Sequence, residues 1–168
     1  MEEKTREEKE RESEEKFKEW LDKHKISYWY IEQSKKSFSP ALKARIGKRP
    51  DFILLLPYTS FIITDVKYKN PAGKYDVFQI DAEETEKYIN LQNYFNLRIW
   101  YVFSSDKFHY NTWYWIPSER VKEKGTKFQN KTNKEKYYYS VPLSEFIQIS
   151  SADSVDRLFK GIYDFLEK

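Results

Sequence analysis

The chain has 168 residues, of which 39% are hydrophobic and 18% aromatic, so it fits one domain with a real core and is not disordered over most of its length. It contains no cysteine, which excludes disulfides, thiolate zinc sites and a cysteine nucleophile. Its apolar runs are short and its N-terminus is charged from residue 2, so we expect a soluble, cytoplasmic protein without a membrane span or secretory signal.

The net charge of +3 is unevenly distributed along the chain. Residues 1–16 hold eight Glu and five Lys or Arg, so the other 152 residues carry a net charge of +6. Residues 34–50 contain six basic side chains and no acid, and residues 118–136 contain seven basic side chains and three Glu. Basic segments of this kind suit a polyanion such as nucleic acid, and the alternative is that they are solvated loops.

The first elements are a helix and a strand. Residues 1–12 are polar on every side of a helix, which predicts an exposed helical extension or a tail. Phe17, Trp20 and Leu21 then form an apolar stripe, so a helix from about residue 13 to Lys25 should dock on a core. Residues 26–31 (ISYWYI) favour a strand. We predict one domain over residues 13–168.

Two apolar runs after the basic loop predict a β-hairpin with acids at its ends. Asp51 opens the first run, and Asp65 and Lys67 close the second. Burial of an unpaired carboxylate is costly, and a divalent cation is one of the few groups that offset the cost. These residues therefore form a candidate metal site.

The register of this hairpin decides whether the acids meet. Asp65 and Lys67 are two residues apart, so they share a face of their strand. Asp51 joins them only if the loop holds an odd number of residues, either 58–60 or 56–60. A four-residue loop, 57–60, would place Asp51 on the opposite face. We predict the odd register.

The remaining elements complete an α/β arrangement. Asp81 is a candidate N-cap for a helix that continues to about Asn96, with an apolar stripe at helical spacing. The other predicted elements are a turn-rich loop at 69–75, strands at 98–103, 112–116 and 136–140, and a helix at 151–168. The order of helix, strand, hairpin, helix and strand is typical of α/β layers.

Pro50-Asp51, followed after thirteen residues by Asp65-x-Lys67, resembles the signature of the PD-(D/E)XK nuclease superfamily, whose restriction-endonuclease-like fold is shared with Holliday-junction resolvases. The predicted element order also matches the α-β-β-β-α-β core of that family, from about residue 13 to Phe103. The resemblance implies a mixed central sheet flanked by helices. In this chain, further strands and a helix would follow the core.

The resemblance implies hydrolysis of phosphodiester bonds in DNA, with Mg²⁺ or Mn²⁺ as the cofactor. Asp51 and Asp65 would be metal ligands, helped by the backbone carbonyl of Val66. A carboxylate-held cation neutralises charge on the phosphate and acidifies a water molecule. Lys67 would orient or deprotonate the attacking water and stabilise the developing negative charge.

The resemblance also suggests further site residues. Many family members add a glutamate from the first helix, which favours Glu14 as a metal ligand, although a solvated side chain is the alternative. Related nucleases often carry a glutamine where Gln92 lies, and the alternative is a side chain that bonds to backbone. The candidate nucleic-acid contacts are Lys35, Lys36, Lys43, Arg45, Lys48, Arg49 and Lys69.

Two other functions remain open from the sequence. One is a non-catalytic nucleic-acid-binding protein of the same fold, in which the acids form a structural pair with Lys67. The other is an interaction module whose N-terminal helix pairs with another chain, but residues 1–16 lack the apolar seam of a coiled coil. We expect a nucleic acid as the partner, DNA rather than RNA, and no membrane, and a homodimer remains open.

Overall fold

A computed structural model describes residues 4–34, 39–45, 48–57, 60–73 and 76–159. The helices are α1 (Arg6–Lys23), α2 (Pro40–Arg45), α3 (Ala82–Phe95) and α4 (Ser118–Lys124), with 3-10 turns at Asp106–Phe108 and Leu143–Glu145. The strands are β1 (Ser27–Tyr30), β2 (Phe52–Leu56), β3 (Ser60–Tyr68), β4 (Val77–Asp81), β5 (Ile99–Ser104), β6 (Thr112–Pro117), β7 (Thr126–Gln129), β8 (Tyr137–Pro142) and β9 (Ile147–Ser150).

Six strands form a mixed central sheet in the order β1-β2-β3-β5-β6-β9. β3 and β5 pair in parallel, and the other neighbouring pairs are antiparallel. Apart from the inserted α2 and β4, the chain order α1, β1, β2, β3, α3, β5 is the predicted core order. The predicted α/β fold with a mixed sheet flanked by helices is therefore confirmed. A second, antiparallel sheet has the order β4-β8-β7, and β4, β7, β9, α2 and α4 were not predicted.

Helix α1 begins earlier than the apolar stripe predicted. Thr5 and Glu8 form a capping box, in which the Glu8 amide donates to Thr5 Oγ1 at 3.3 Å and the Thr5 amide donates to Glu8 Oε2 at 2.7 Å. Two backbone donors that a helix start leaves without a partner are thereby satisfied. The charged residues from Arg6 therefore form the first turns of the helix that buries Phe17 and Leu21.

The central sheet has a core on each face. α1 packs on one face through Phe17, Trp20 and Leu21, against residues that include Trp113 and Trp115. α3 and the second sheet cover the other face, where the buried residues include Ile63, Tyr88, Leu91, Tyr101 and Phe103. Side chains alternate along β3, so Asp65 and Lys67 lie on the α3 face together with Ile63.

The register between β2 and β3 is the predicted odd one. Leu56 pairs with Ser60 and Phe52 pairs with Thr64, so three residues separate the last pair of the hairpin. Extension of this register by one residue would set Asp51 against Asp65, as in the predicted 56–60 alternative. The observed pairs end before this position, because the Asp51 amide donates to the Thr64 carbonyl at 2.9 Å. This bond and the bond from the Val66 amide to the Asp51 carboxylate hold Asp51 beside the segment that contains Asp65.

The C-terminal helix begins later than predicted. Residues 151–155 form turns, and residues 156–159 are helical. Val155 and Leu158 are buried against the α1 core, as the apolar stripe predicted, whereas its continuation through Ile162, Phe165 and Leu166 lies outside the described residues. Within the described part of the chain, none of the helices has the length and apolar character needed to cross a membrane.

Gly125 allows α4 and the second sheet to approach closely. A Cβ on Gly125 would lie 2.5 Å from the Val121 carbonyl oxygen and 2.9 Å from Tyr139 Cβ. We predict that Gly125→Ala lowers the free energy of unfolding by about 2 kcal/mol, since overpacking typically costs about 1–3 kcal/mol. Urea denaturation should show this loss, whereas Thr126→Ala at the exposed next position should change stability little. Equal stability of the two variants would contradict the close approach.

Candidate active site

Asp51 is a buried carboxylate held by neutral donors. Its side chain is 6% exposed. Oδ2 accepts a hydrogen bond from the Val66 amide at 2.8 Å, and Oδ1 accepts one from Gln33 Nε2 at 3.3 Å. Burial and the nearby charge of Asp65 raise the pKa of Asp51 well above its ordinary value. The site therefore holds a carboxylate whose negative charge is costly in the absence of a cation.

Asp65 lies opposite Asp51 on β3 and is more deeply buried, at 1% exposure. Its Oδ1 accepts a hydrogen bond from the Tyr88 hydroxyl at 2.5 Å. Its Oδ2 forms an ion pair with Lys67 Nζ at 2.8 Å. Burial raises the pKa of Asp65, and Glu84 adds to the rise while Lys67 opposes it.

Lys67 lies between two acids. Besides Asp65, its Nζ lies 3.5 Å from Glu84 Oε1, and the other oxygen of Glu84 forms an ion pair with Lys48. Burial alone would lower the pKa of Lys67, but Asp65 and Glu84 raise it well above its ordinary value. Burial would likewise raise the pKa of Glu84, but the two lysines lower it. The site is a compact network of alternating acids and ammonium groups.

Sequence reasoning missed Glu84 and Tyr88. Both lie on α3, four residues apart and hence on one helix face. Tyr88 is fully buried, and its hydroxyl lies 2.5 Å from Asp65 Oδ1 and 3.0 Å from the Arg49 carbonyl oxygen. Glu84 was interpreted only as a first-turn acid and Tyr88 only as a core residue. Both residues lie on the helix face that carries the apolar stripe, and this position was the signal in the sequence that could have identified them.

Glu14 lies at the edge of the site. It is half-buried on α1, and its Oε2 accepts a hydrogen bond from the Tyr30 hydroxyl at 2.7 Å. Burial raises the pKa of Glu14, and its charge contributes to the raised pKa of Asp51. The neighbouring Glu15 and Glu19 are exposed. The structure thus brings Glu14, of the three glutamates on this helix segment, toward the acids.

The structure does not bring Gln92 to the acids. Its Oε1 accepts hydrogen bonds from the Ile99 amide at 2.6 Å and from Ser118 Oγ at 2.8 Å, and its Nε2 donates to Glu119 at 3.0 Å. Both ends of the amide are therefore used in joining α3 to β5 and α4. This is the alternative in which the glutamine bonds to backbone.

The predicted basic contacts are dispersed. Lys48 lies in the site, with its Nζ 5.5 Å from the centre of the Tyr88 ring. Lys69 is partly buried, and burial, together with the charges of Arg6 and Lys67, lowers its pKa. Lys43 is exposed on α2, and the Arg49 guanidinium donates to the Ser34 carbonyl at 2.8 Å. Lys35, Lys36 and the side chain of Arg45 lie outside the described residues.

The two aspartates suit an open cation site rather than a closed one. Within the described residues, no group of three or more His, Cys, Asp or Glu side chains could hold a metal ion. Mg²⁺ is usually held by one or two carboxylates, with waters and substrate phosphates as its other ligands. The carboxylates of Asp51 and Asp65 match that donor set. Only oxygen donors are involved, which favours Mg²⁺ or Mn²⁺ over softer metals.

No protein family and no curated protein matches the chain. Among solved structures, the chain is similar to Hjc, a Holliday junction resolvase from Archaeoglobus fulgidus, with 14% identity, 83% of this chain and 94% of that chain covered, and a TM-score of 0.49. It is also similar to D212, a nuclease from a fusselovirus, with 14% identity, coverages of 89% and 86%, and a TM-score of 0.45.

The buried charge of Asp51 should destabilise the metal-free protein. The pKa of Asp51 in the folded state lies above the ordinary value of 3.8. Protonation of Asp51 therefore stabilises the folded state below pH 3.8, and this contribution is lost as the pH rises through the folded-state pKa. We predict that Asp51→Asn raises the free energy of unfolding at pH 7 in EDTA, with the gain shrinking toward pH 4. Urea denaturation across this range measures it, with the exposed Asp22→Asn as control. A loss of stability at pH 7 would contradict the prediction.

Proposed function

We propose that the chain is a metal-dependent nuclease that hydrolyses phosphodiester bonds in DNA. Asp51 and Asp65 would hold Mg²⁺ or Mn²⁺, and Lys67 would assist attack by water. The observation that carries the proposal is a pair of neighbouring buried carboxylates, Asp51 at 6% and Asp65 at 1% exposure, with the ammonium of Lys67 beside them. Two buried carboxylates repel each other, and a divalent cation offsets that cost.

The chain fixes both carboxylates before any ligand binds. The Val66 amide orients Asp51 and the Tyr88 hydroxyl orients Asp65, so neither side chain has to be ordered on binding. When bound, the cation supplies charge neutralisation at the phosphate and a water molecule with a lowered pKa. The backbone carbonyl of Val66 remains proposed as a further ligand. Glu14 remains proposed as a ligand that would have to move toward the two aspartates, because the described residues form no group of three acids that could hold an ion.

Lys67 lies where it could stabilise the negative charge that develops during phosphodiester hydrolysis. It follows Asp65 by two residues on the same face of β3, so its ammonium lies beside the carboxylates. In this position it would orient the attacking water and stabilise negative charge on the phosphate oxygens. Glu84 contacts Lys67 from α3, and we assign it as a residue that positions the ammonium.

The proposal of a nucleic-acid substrate rests on nearby cations. Lys48 and Lys69 lie close to Lys67, and lysines near such a site would contact phosphates on either side of the bond that is cleaved. These contacts suit DNA or RNA. We propose DNA because of the sequence resemblance.

One observation favours a non-catalytic DNA-binding protein as the second candidate. Lys67 and Lys48 pair with Asp65 and Glu84, so the acids already have cationic partners from the chain itself. In that case the network would be structural, and the basic residues alone would bind nucleic acid.

The Lys67→Ala variant separates these two functions. We predict that the parent protein cleaves DNA in the presence of Mg²⁺ or Mn²⁺, and that Lys67→Ala lowers the rate by about a hundredfold or more, as loss of one charge-stabilising group typically does. The assay compares linear, nicked and branched DNA with RNA. Lys87→Ala is the matched control, because Lys87 forms a partly exposed ion pair on α3 and should leave cleavage unchanged.

Thermal unfolding of both variants must show that they are folded at the assay temperature. A folded parent that cleaves none of the substrates with either metal would favour the non-catalytic candidate. Cleavage that survives Lys67→Ala would show that the active site lies elsewhere.

Metal binding has a readout that does not depend on cleavage. We predict that Mn²⁺ at a hundred times its dissociation constant stabilises the parent protein by about 2.7 kcal/mol, as expected for one site on the folded state. Asp65→Asn removes a charged ligand and should abolish the stabilisation, whereas Asp22→Asn should retain it. Thermal unfolding with Mn²⁺ or EDTA measures the difference. Equal stabilisation of both variants would contradict a site at Asp65.

A further inference from the structure

The β7–β8 hairpin carries an exposed aromatic pair. Phe128 on β7 pairs directly with Tyr138 on β8, and their rings stack with centroids 5.8 Å apart and planes at 28°. Phe128 is 46% exposed, although it is an apolar side chain. Single exposed hydrophobic residues are common, so this pair becomes informative only together with its surroundings.

The same hairpin is strongly basic. Residues 122–136 contain six Lys and two Glu, and Lys127 and every residue from 131 to 137 are exposed. Lys127 Nζ lies 5.3 Å from the centre of the Tyr137 ring. Aromatic side chains interleaved with lysines are typical of surfaces that bind single-stranded nucleic acid, where rings stack on bases and cations contact phosphates.

The tip of the hairpin is held by its own side chains. Asn130 Oδ1 accepts hydrogen bonds from the Thr132 amide at 2.9 Å and from the Asn133 amide at 3.2 Å. Gln129 Nε2 donates to the Lys134 carbonyl at 2.6 Å. The backbone that carries Lys131 and Lys134 is therefore ordered in advance, which lowers the entropy cost of a contact.

The hairpin is attached to the helix that frames the candidate active site. The Tyr139 hydroxyl donates to Glu86 at 3.0 Å, and Lys122 forms an ion pair with Glu86 at 3.0 Å. Glu86 lies two residues after Glu84, whose carboxylate contacts Lys67. The hairpin is therefore joined to the helix that carries Glu84, through the face of the second sheet that bears Tyr139.

We propose that the β7–β8 hairpin is a second contact for nucleic acid, which holds an unpaired strand by stacking a base on the Phe128–Tyr138 pair. Lys131 and Lys134, at the exposed tip of the hairpin, contact the phosphates of that strand. The inference rests on the proposed function and narrows its substrate to DNA with unpaired bases, such as single strands, flaps or frayed ends. A fully paired duplex has no free base to stack at its centre.

Binding without metal tests this proposal apart from cleavage. The probe is a fluorescein-labelled single strand of about 16 nucleotides, compared with a blunt duplex of the same sequence, by fluorescence anisotropy in EDTA. We expect Phe128→Ala to raise the Kd for the single strand about tenfold and to change the Kd for the duplex less than about twofold. Phe128→Trp keeps a ring for stacking and should bind as the parent does.

Thr126→Ala is the matched control, because Thr126 is exposed on the same strand face as Phe128 and has no ring. An unchanged Kd for the single strand in Phe128→Ala, an equal loss for the duplex, or a parent that binds no DNA would each overturn the proposal. This outcome is distinguishable from failure of the proposed nuclease function. If only the nuclease proposal is wrong, the parent will not cleave DNA but will still bind the single strand more tightly than the duplex, and this preference will depend on the Phe128 ring.

Discussion

The arrangement of the whole site depends on the antiparallel register of β2 and β3. It places the carboxylates of Asp51 and Asp65 opposite each other at a buried strand end, where like charges repel in a medium that screens them poorly. The neighbouring groups are those that such a pair requires, namely an amide donor from Val66, a hydroxyl donor from Tyr88 and the ammonium of Lys67.

The parallel pairing of β3 with β5 explains why a helix covers these acids. Parallel neighbours need a long crossover connection, whereas antiparallel neighbours can be joined by a short turn. Here the crossover includes β4 and α3. It carries Glu84 and Tyr88 across the face that bears Asp65, so the topology of the sheet supplies the second half of the site.

The sequence predicted the parts of the site that follow from local periodicity. Alternation along β3 placed Asp65 and Lys67 together, and the hairpin register added Asp51. The role of Glu84 was not predictable in the same way, because its partner Lys48 lies 36 residues away and a first-turn acid is common in any helix. β7 and β9 were missed because four-residue strands are too short to show a period, and the basic composition around β7 is more typical of a loop.

The three hydrogen bonds of the Gln92 amide have a consequence for the interpretation of activity measurements. They join α3 to the first residue of β5 and to α4, so a shift of α3 by one residue, about 1.5 Å along its axis, would break them. Glu84 and Tyr88 belong to the same helix, so their distances to Asp65 are maintained as long as the hydrogen bonds of Gln92 are intact. If the proposed nuclease activity exists, its loss after substitution of Gln92 would therefore reflect a shift of α3, because the amide contacts none of Asp51, Asp65 and Lys67.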